Sequence, residues 1–175
     1  MKNILIDRNK KNEVILLHIT KHSDGTKMDG MYSLNTSCLL NTRCQKRKAI
    51  KGSICEKCFA FAQLNRYTNM QDPLEINTQL LTSSIIKKEY LPFINASIFR
   101  FESFGDLNNE TQFINYLNIC KKNKQTTFAI WTKNADIMGK VFNELGYKKP
   151  KNLIIIVSSL FLNDVFKTNG HPVNL

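Results

Sequence analysis

The sequence predicts an α/β fold, an open or partial parallel (β/α) barrel with an irregular cysteine-rich N-terminal segment. Three observations lead to this prediction. Strand and helix patterns alternate at intervals of about thirty residues in the second half of the chain, as parallel crossover units do. Four cysteines cluster over residues 38–58, two of them in a stretch with little periodicity and two at the start of a predicted helix. The chain has 175 residues, whereas a closed eight-unit barrel needs at least about 200.

The first half of the chain contains one strand pattern and two helix patterns. Residues 13–19 form an apolar run that is typical of a strand. Cysteines and apolar residues recur every three or four positions over 54–66, which predicts a helix with Cys55 and Cys58 in its first turns. A second helix is predicted over 73–81, because proline is favoured in a first helical turn.

The second half predicts alternating elements. They are a strand over 97–102, a helix over 109–121, a strand over 126–132, a helix capped by Asn134 and ended by Gly146, and a strand over 153–157. The last strand is apolar throughout, which predicts burial on both faces. We expect a single domain over 1–175, in which 1–70 holds the cysteine-rich segment and 95–160 holds the parallel βαβαβ unit.

Composition excludes several classes of protein. Hydrophobic residues make up 42% and charged residues 22% of the chain, with 7 glycines and 4 prolines. These values exclude a disordered, collagen-like or disulfide-dense chain. No apolar run approaches the roughly 20 residues of a membrane helix, and the first residues lack the apolar segment of a secretory signal. We therefore expect a protein of the host-cell cytoplasm without a membrane partner.

The chain is strongly basic, with 25 Lys and Arg against 14 Asp and Glu and a formal charge of +11. This excess favours an anionic partner such as nucleic acid. Only 5 of the basic residues are arginine, and a lysine-rich composition is also typical of proteins from AT-rich genomes. The candidate anion or nucleic-acid contacts lie among the cysteines; they are Arg43, Lys46, Arg47, Lys48 and Lys51.

Four cysteines have the spacing Cys38-x5-Cys44-x10-Cys55-x2-Cys58. Four soft thiolates suit Zn²⁺ in a closed site or an iron–sulfur cluster. A helix N-terminus and the neighbouring basic residues favour the thiolate form. The alternative is a set of reduced cysteines without a metal, and a disulfide pair is less expected in a chain without an export signal. The fifth cysteine, Cys120, shares a helix face with Phe113 and Leu117 and is expected in the core.

Polar residues follow the predicted parallel strands, where α/β proteins bind ligands. Candidate catalytic residues are Glu102, Asp106 and Lys133 at these strand ends, with Arg100 inside the strand before Glu102. Candidate cofactor-binding residues are Trp131, Asn134 and Ser158. Three of these residues also have a structural interpretation: Asp106 as a turn former, Asn134 as a helix cap and Ser158 as a polar loop residue.

Arg100 interrupts an otherwise apolar strand, and a buried arginine needs an anionic partner. Glu102 lies two residues later and so on the same strand face, which favours an Arg100–Glu102 ion pair. Trp131, the single tryptophan, could stack on a base or cofactor, although a core position is the more common outcome. The 3 histidines are not spaced as a ligand pair, and His22 is expected at the surface.

Four runs of the sequence resemble the phage "gene product 88" family. They are SLNTSC at 33–38, ICEKCFA at 54–60, FRFESFGD at 99–106 and FAIWTKN at 128–134. The resemblance implies a phage or mobile-element origin and a cysteine-rich metal or cluster site, without an assigned activity. A more distant architectural similarity, early cysteines followed by a partial parallel barrel, is to radical SAM enzymes. The chain lacks their CxxxCxxC triplet, and its fourth thiolate would close the position that binds SAM.

These observations favour three functions. The first is a metal- or iron–sulfur-binding accessory protein of a phage or mobile element, whose basic surface contacts nucleic acid or a host protein. The second is an iron–sulfur enzyme, radical SAM-like or redox, with its site at the strand ends. The third is a small host-defence inhibitor of the anti-CRISPR type. Charged surfaces look alike for nucleic acid and protein partners, so the sequence does not separate the first function from the third.

Overall fold

The computed structural model describes residues 5–7, 14–22 and 29–164. The strands are β1 (Leu5–Asp7), β2 (Val14–Leu16), β3 (Ile19–Lys21), β4 (Tyr32–Leu34), β5 (Ile98–Phe101), β6 (Thr127–Thr132) and β7 (Leu153–Val157). The α-helices are α1 (Thr42–Lys48), α2 (Phe59–Arg66), α3 (Gln71–Ser83), α4 (Glu110–Lys122) and α5 (Ala135–Gly139). Short 3-10 helices cover Thr68–Met70 and Lys88–Tyr90, and a π-helical turn, Lys140–Glu144, continues α5. None of these helices is long and apolar enough to cross a membrane.

Five strands form one sheet in the order β3-β4-β5-β6-β7. The pairs from β4 to β7 are parallel, whereas β3 runs antiparallel to β4. One row across the parallel strands joins Leu34, Phe101, Ile130 and Ile155. A separate antiparallel pair is formed by β1 and β2. The prediction of a mixed α/β fold with a parallel sheet is confirmed. The described sheet is open, with β3 and β7 at its edges, so a barrel is not formed.

The main core lies on the helix-covered face of this sheet. Phe101 is stacked between the rings of Tyr116, at 4.2 Å between centroids, and Phe128, at 5.2 Å. Phe99 packs against both phenylalanines at 5.5 Å. Helix α4 presents Tyr116 and the fully buried Cys120 to this core. The prediction that Cys120 is a core residue is therefore confirmed.

The opposite face of the sheet carries the alternate residues of each strand. Its apolar side chains are partly exposed, namely Ile98, Trp131 and Ile154. Ile154 is 37% exposed, so the prediction that the last strand is buried on both faces is wrong. Trp131 is equally exposed, so its expected core position is wrong as well. This second face is called the open face below.

Several predicted element boundaries differ from those observed. The strand predicted over 13–19 is divided, because β2 ends at Leu16 and β3 begins at Ile19. The helix predicted over 54–66 begins only at Phe59. Before it, a polar turn forms in which the Glu56 amide donates to Ser53 Oγ at 3.1 Å. By contrast, α3, α4, β5, β6 and β7 lie where the sequence predicts them.

Candidate metal centre at the carboxyl edge of the sheet

Four cysteines from four local structures line one small cavity. Cys38 lies in the turn after β4 and is 1% exposed, and Cys44 lies in α1. Cys55 lies in the turn before α2, and Cys58 is the N-cap residue of that helix. The cavity has a volume of about 90 Å³, which is enough for more than one water-sized group. The structure therefore brings together the four cysteines that the sequence singles out.

The helix that carries Cys44 is held against the loop after β5 by Asn41. The Asn41 side chain caps α1 by accepting from the amides of Arg43, at 3.0 Å, and Cys44, at 3.2 Å. Its Nδ2 atom donates to the backbone oxygens of Asp106 and Leu107 at 3.0 and 3.2 Å. One buried asparagine thus fixes a cysteine-bearing helix to the carboxyl end of the sheet.

A backbone hydrogen bond fixes the turn that carries Cys55. The amide of Ile54 donates to the oxygen of Leu160 at 2.9 Å, and residue 160 follows β7. The cysteine segment therefore spans the carboxyl edge of the sheet, from the end of β4 to the loop after β7. This is the edge at which open α/β sheets bind ligands.

The donor chemistry of the cavity fits a metal or an iron–sulfur cluster, because all four cysteines are free thiols. The spacing fits a single ion less well. Four sulfurs bound at about 2.3 Å to one tetrahedral ion lie within about 4 Å of one another. Within the described ranges, no three His, Cys, Asp or Glu side chains are grouped so as to hold one ion. A cluster places several iron and sulfide atoms between its thiolates, so it suits a wider ring of cysteines.

Burial controls the protonation of the thiols. Burial, followed by the charge of Cys58, raises the pKa of Cys38 to about 12. Burial also raises the pKa of Cys44, with the negative charge of Asp106 as the next cause. The pKa of Cys55 is raised by burial, against the opposing charge of Lys133. The basic side chains act in the expected direction, since Lys48, Arg47 and Lys133 lower these pKa values. Desolvation outweighs them until a cation binds.

Asp106 and Lys133, two of the predicted catalytic residues, lie in the wall of this cavity together with Arg47. Asp106 is buried and accepts hydrogen bonds from the Thr132 hydroxyl and from the amides of Leu107, at 2.8 Å, and Lys133, at 3.1 Å. Arg47 lies 3.4 Å from its Oδ2 atom. Burial raises the pKa of Asp106, whereas these contacts lower it. A carboxylate, an arginine and a lysine thus surround the thiols.

Glu102 lies behind the cavity in a buried network of its own. Its carboxylate accepts from the Thr36 amide at 3.2 Å, from Gln112 Nε2 at 2.6 Å and from the Tyr116 hydroxyl. Burial raises the pKa of Glu102 to about 8, although these hydrogen bonds oppose the rise. Burial and the charge of Glu102 raise the pKa of Tyr116. The carboxyl group therefore keeps its proton to a higher pH than an exposed glutamate does.

The backbone around Glu102 is unusual. Glu102 has a φ of 55°, in the left-handed region that non-glycine residues seldom adopt. A Cβ atom on Gly105 would contact Glu102 Oε2 and would lie 2.6 Å from the oxygen of Thr36. The turn after β5 is thus strained at Glu102 and closely packed at Gly105. Such strain persists only where the surroundings fix it, and it is enriched at functional sites.

The predicted Arg100–Glu102 ion pair is not formed. The left-handed turn at Glu102 ends the strand alternation, so its carboxylate enters the network with Thr36 and Tyr116. Arg100 remains on the open face, where its guanidinium carbon lies 4.4 Å from the centroid of the Trp131 ring. Two of the four predicted catalytic residues, Arg100 and Glu102, therefore do not line the cysteine cavity.

The predicted cofactor-binding residues are divided between different places. Asn134 is buried beside the cavity wall, where its Oδ1 atom accepts from Arg47 and its Nδ2 atom donates to the oxygen of Leu107 at 2.6 Å. It occupies the predicted cap position of α5 without making a side-chain cap bond. Trp131 lies on the open face, and the Ser158 amide continues the sheet by donating to the oxygen of Thr132 at 2.9 Å.

The candidate anion contacts also differ among themselves. Arg43 pairs with Asp136 at 2.7 Å, and Arg47 is held by Asp106 and Asn134. Both arginines are thus used within the molecule. The remaining members of the set are exposed; they are Lys46, Lys48 and Lys51.

Sequence reasoning missed four residues that organise the site. Asn41 was detectable, because asparagine before a short polar run is a typical N-cap signal. Thr36 and Gln112 carried no such signal, since their role depends on the positive φ of Glu102 far away in sequence. Tyr116 shares the apolar face of α4, and only the structure shows its hydroxyl bound to Glu102.

Comparison with known proteins places the chain in a family. No curated protein and no solved structure matches it. The family model described as "Gene product 88" matches residues 5–167. This range includes all four cavity cysteines, the strained turn after β5 and all five strands of the main sheet. The chain therefore belongs to the gene product 88 family of phage proteins.

Proposed function

We propose that this phage protein binds an iron–sulfur cluster through Cys38, Cys44, Cys55 and Cys58. The observation that carries the proposal is the shared cavity of about 90 Å³ that these four thiols line. Their chemistry suits a cluster or Zn²⁺. We favour the cluster because the cavity has room for more than one atom between the thiols. A bound cluster would supply one-electron transfer.

The residues around the cavity fit this role. Arg47 and Lys133 place two positive charges in the wall, which offset the charge of four ionised thiols. Asp106 accepts from Arg47 at 3.4 Å and so holds one of these charges in place. Phe61 and Phe104 form the apolar part of the wall and limit the access of water.

Anaerobic purification followed by assays of iron, sulfide and zinc tests the proposal. We expect a brown protein with iron and acid-labile sulfide in similar amounts. The Cys55→Ser variant should lose both, because one ligand is removed. Cys120→Ala is the matched control, since Cys120 is buried in the main core and does not line the cavity. It should retain the metal content of the wild type.

The metal and sulfide contents distinguish three outcomes. If the wild type contains zinc without sulfide, and Cys55→Ser loses the zinc, the four cysteines bind a single zinc ion and not a cluster. Wild-type protein without iron and without zinc would refute the proposal. Equal metal loss from both cysteine variants would also refute it, because the effect would then be general destabilisation.

A second candidate function is an iron–sulfur enzyme. It is favoured by the position of the cavity at the carboxyl edge of the sheet, with Asp106 and Lys133 in its wall. We expect the Lys133→Met variant to keep its cluster while the midpoint potential moves to a more negative value, because a positive charge beside the thiolates is lost. An unchanged potential would argue against a role for Lys133 at the site.

Contact with nucleic acid is a third candidate, and the exposed lysines of the cysteine segment favour it. Lys46, Lys48 and Lys51 lie within one short stretch of a chain with a formal charge of +11. Replacing all three by glutamine should weaken binding of single- or double-stranded DNA and reduce its dependence on salt. Equal binding by wild type and triple variant would exclude this surface as the contact.

A further inference from the structure

Two buried side-chain nitrogen atoms in the described part of the chain have no hydrogen-bond partner. They are His22 Nε2 and Arg100 Nε. Buried polar atoms in folded proteins are paired in the large majority of cases, so an unpaired one requires an explanation. The expectation that His22 is a simple surface histidine is therefore wrong. Both orphaned atoms belong to basic side chains, which points to a missing anion.

The two side chains lie on the same face of the sheet. Ser33 of β4 pairs with Thr20 on one side and with Arg100 on the other. His22 is two residues beyond Thr20 and so faces the same way. The two side chains also interact electrostatically, since the pKa of His22 is lowered first by burial and then by the charge of Arg100.

Arg100 has no anionic partner among the described residues. Its guanidinium carbon lies 4.4 Å from the centroid of the Trp131 ring. The guanidinium offers five N–H donors, and burial lowers its pKa. A half-buried charge of this kind is costly unless a ligand of opposite charge binds it.

A pocket of about 330 Å³ includes His22 in its wall. Arg100 does not line this pocket and acts on it through His22, whose pKa is lowered by burial and then by the charge of Arg100. No aspartate or glutamate of the described chain lines it, and its apolar side is formed by Met70, Leu74 and Phe104. The volume is at the lower end of the range for small-molecule sites. Phe104 also belongs to the wall of the cysteine cavity, so the two spaces are neighbours.

We propose that this pocket binds a small organic anion, a carboxylate or phosphate attached to an aromatic or other apolar body. The anionic group lies at His22, where the nearby charge of Arg100 attracts it, and the apolar body lies along Met70 and Phe104. The site is distinct from the cysteine cavity, and its affinity does not require a metal or cluster there.

Calorimetric titration of the full-length protein with four probes tests the proposal. The probes are phenyl phosphate, benzoate, inorganic phosphate and phenol. We expect phenyl phosphate or benzoate to bind at least about tenfold more tightly than phenol, a difference of about 1.4 kcal/mol. The tighter of the two identifies the anionic group, and inorganic phosphate should bind more weakly than phenyl phosphate because it lacks the apolar body.

Two variants and two controls locate the binding. Arg100→Gln and His22→Gln should each weaken binding of the tighter probe at least about tenfold. Arg66→Gln is the control for the arginine, because Arg66 is exposed and also lies over an aromatic ring, that of Tyr67. His18→Gln is the control for the histidine, because His18 is exposed and does not line the pocket. Both controls should bind as the wild type does.

Measurements of thermal stability with and without probe distinguish a variant that folds poorly from one that has lost the anion site. Without probe, Arg100→Gln should be at least as stable as the wild type, because an unpaired half-buried charge is removed. With probe, only the wild type and the controls should gain thermal stability.

The proposal is overturned if phenol binds as well as phenyl phosphate and benzoate, or if Arg100→Gln binds the anions normally. Tight binding of a decamer of thymidylate with weak binding of the small anions would instead assign the surface to nucleic acid. Cys55→Ser separates this proposal from the cluster: loss of metal with unchanged anion affinity supports two independent sites. Loss of anion affinity in Cys55→Ser would place the anion in the cysteine cavity and refute the pocket.

Discussion

Replacement of Glu102 by glutamine should remove a large part of the pH dependence of stability. Glu102 is 3% exposed, and burial raises its pKa from 4.5 to about 8. The folded state therefore holds this proton more tightly than the unfolded state does. The corresponding stability is fully present below pH 4.5 and is lost as the pH rises through about 8. At about 1.4 kcal/mol for each pH unit, the difference amounts to about 5 kcal/mol.

Urea denaturation followed by circular dichroism at several pH values measures this effect. Between about pH 5 and pH 8, the free energy of unfolding of the wild type should fall by several kcal/mol more than that of Glu102→Gln. The amide also faces donors from Gln112 and Tyr116, which adds a cost that does not vary with pH. Besides burial, the charge of Asp106 is one of the causes that raise the pKa of Glu102, so the difference between the two proteins includes this coupling.

Glu89→Gln is the matched control, because Glu89 is an exposed carboxylate in a short 3-10 helix. It should lose stability with pH in parallel with the wild type. If Glu102→Gln also runs parallel to the wild type, the carboxyl group of Glu102 is ionised in the folded protein near neutral pH. The argument from burial would then be refuted.

Three further changes test the packing of the turn after β5, the main core and the end of α4. Gly105→Ala should lower both the thermal denaturation midpoint and the metal content. The new Cβ would lie 2.6 Å from the oxygen of Thr36, and overpacking of this kind costs about 1–3 kcal/mol. Unchanged values would show that the turn can move. Phe128→Ala should cost about 3–5 kcal/mol in urea denaturation, because the ring is fully buried beside Phe101, and a cost below about 1 kcal/mol would contradict this packing. Asn123→Ala should lower the free energy of unfolding by about 1–3 kcal/mol, because the Asn123 side chain accepts from the Ile94 amide at 2.7 Å and donates to the oxygen of Pro92 at 2.8 Å. Hydrogen exchange of the Ile94 amide should become faster in this variant.

The second half of the fold was predictable because its signals are local. The apolar periodicity of α4, its Asn109 cap and the β-branched run of β7 each depend on neighbouring residues only. The Asn109 side chain accepts from the Gln112 amide at 3.0 Å, as a cap should. The start of α2 was not predictable from periodicity, because the turn formed by Ser53 and Glu56 competes with the helix.

The sequence predicted several of the residues that line the candidate site, but it did not predict the hydrogen bonds and ion pairs among them. Cysteine spacing identified the four thiols, and the strand-end rule identified Asp106 and Lys133. The separation of Arg100 from Glu102 was hidden, because strand alternation holds only until the backbone leaves the extended region. A φ of 55° at Glu102 is set by tertiary packing, so no local pattern indicates it.

The order of the cavity residues along the chain has a consequence for biosynthesis. All four thiols precede Asp106 and Lys133, and 75 residues separate Cys58 from Lys133. At a synthesis rate of about 5–20 residues per second, the ribosome needs about 4–15 s to add them. Cys58 therefore emerges from the ribosome this long before Lys133, while the wall that later encloses the thiols is still incomplete. The thiols of newly made chains are thus accessible to metal ions and to oxidants until β6 has emerged and paired.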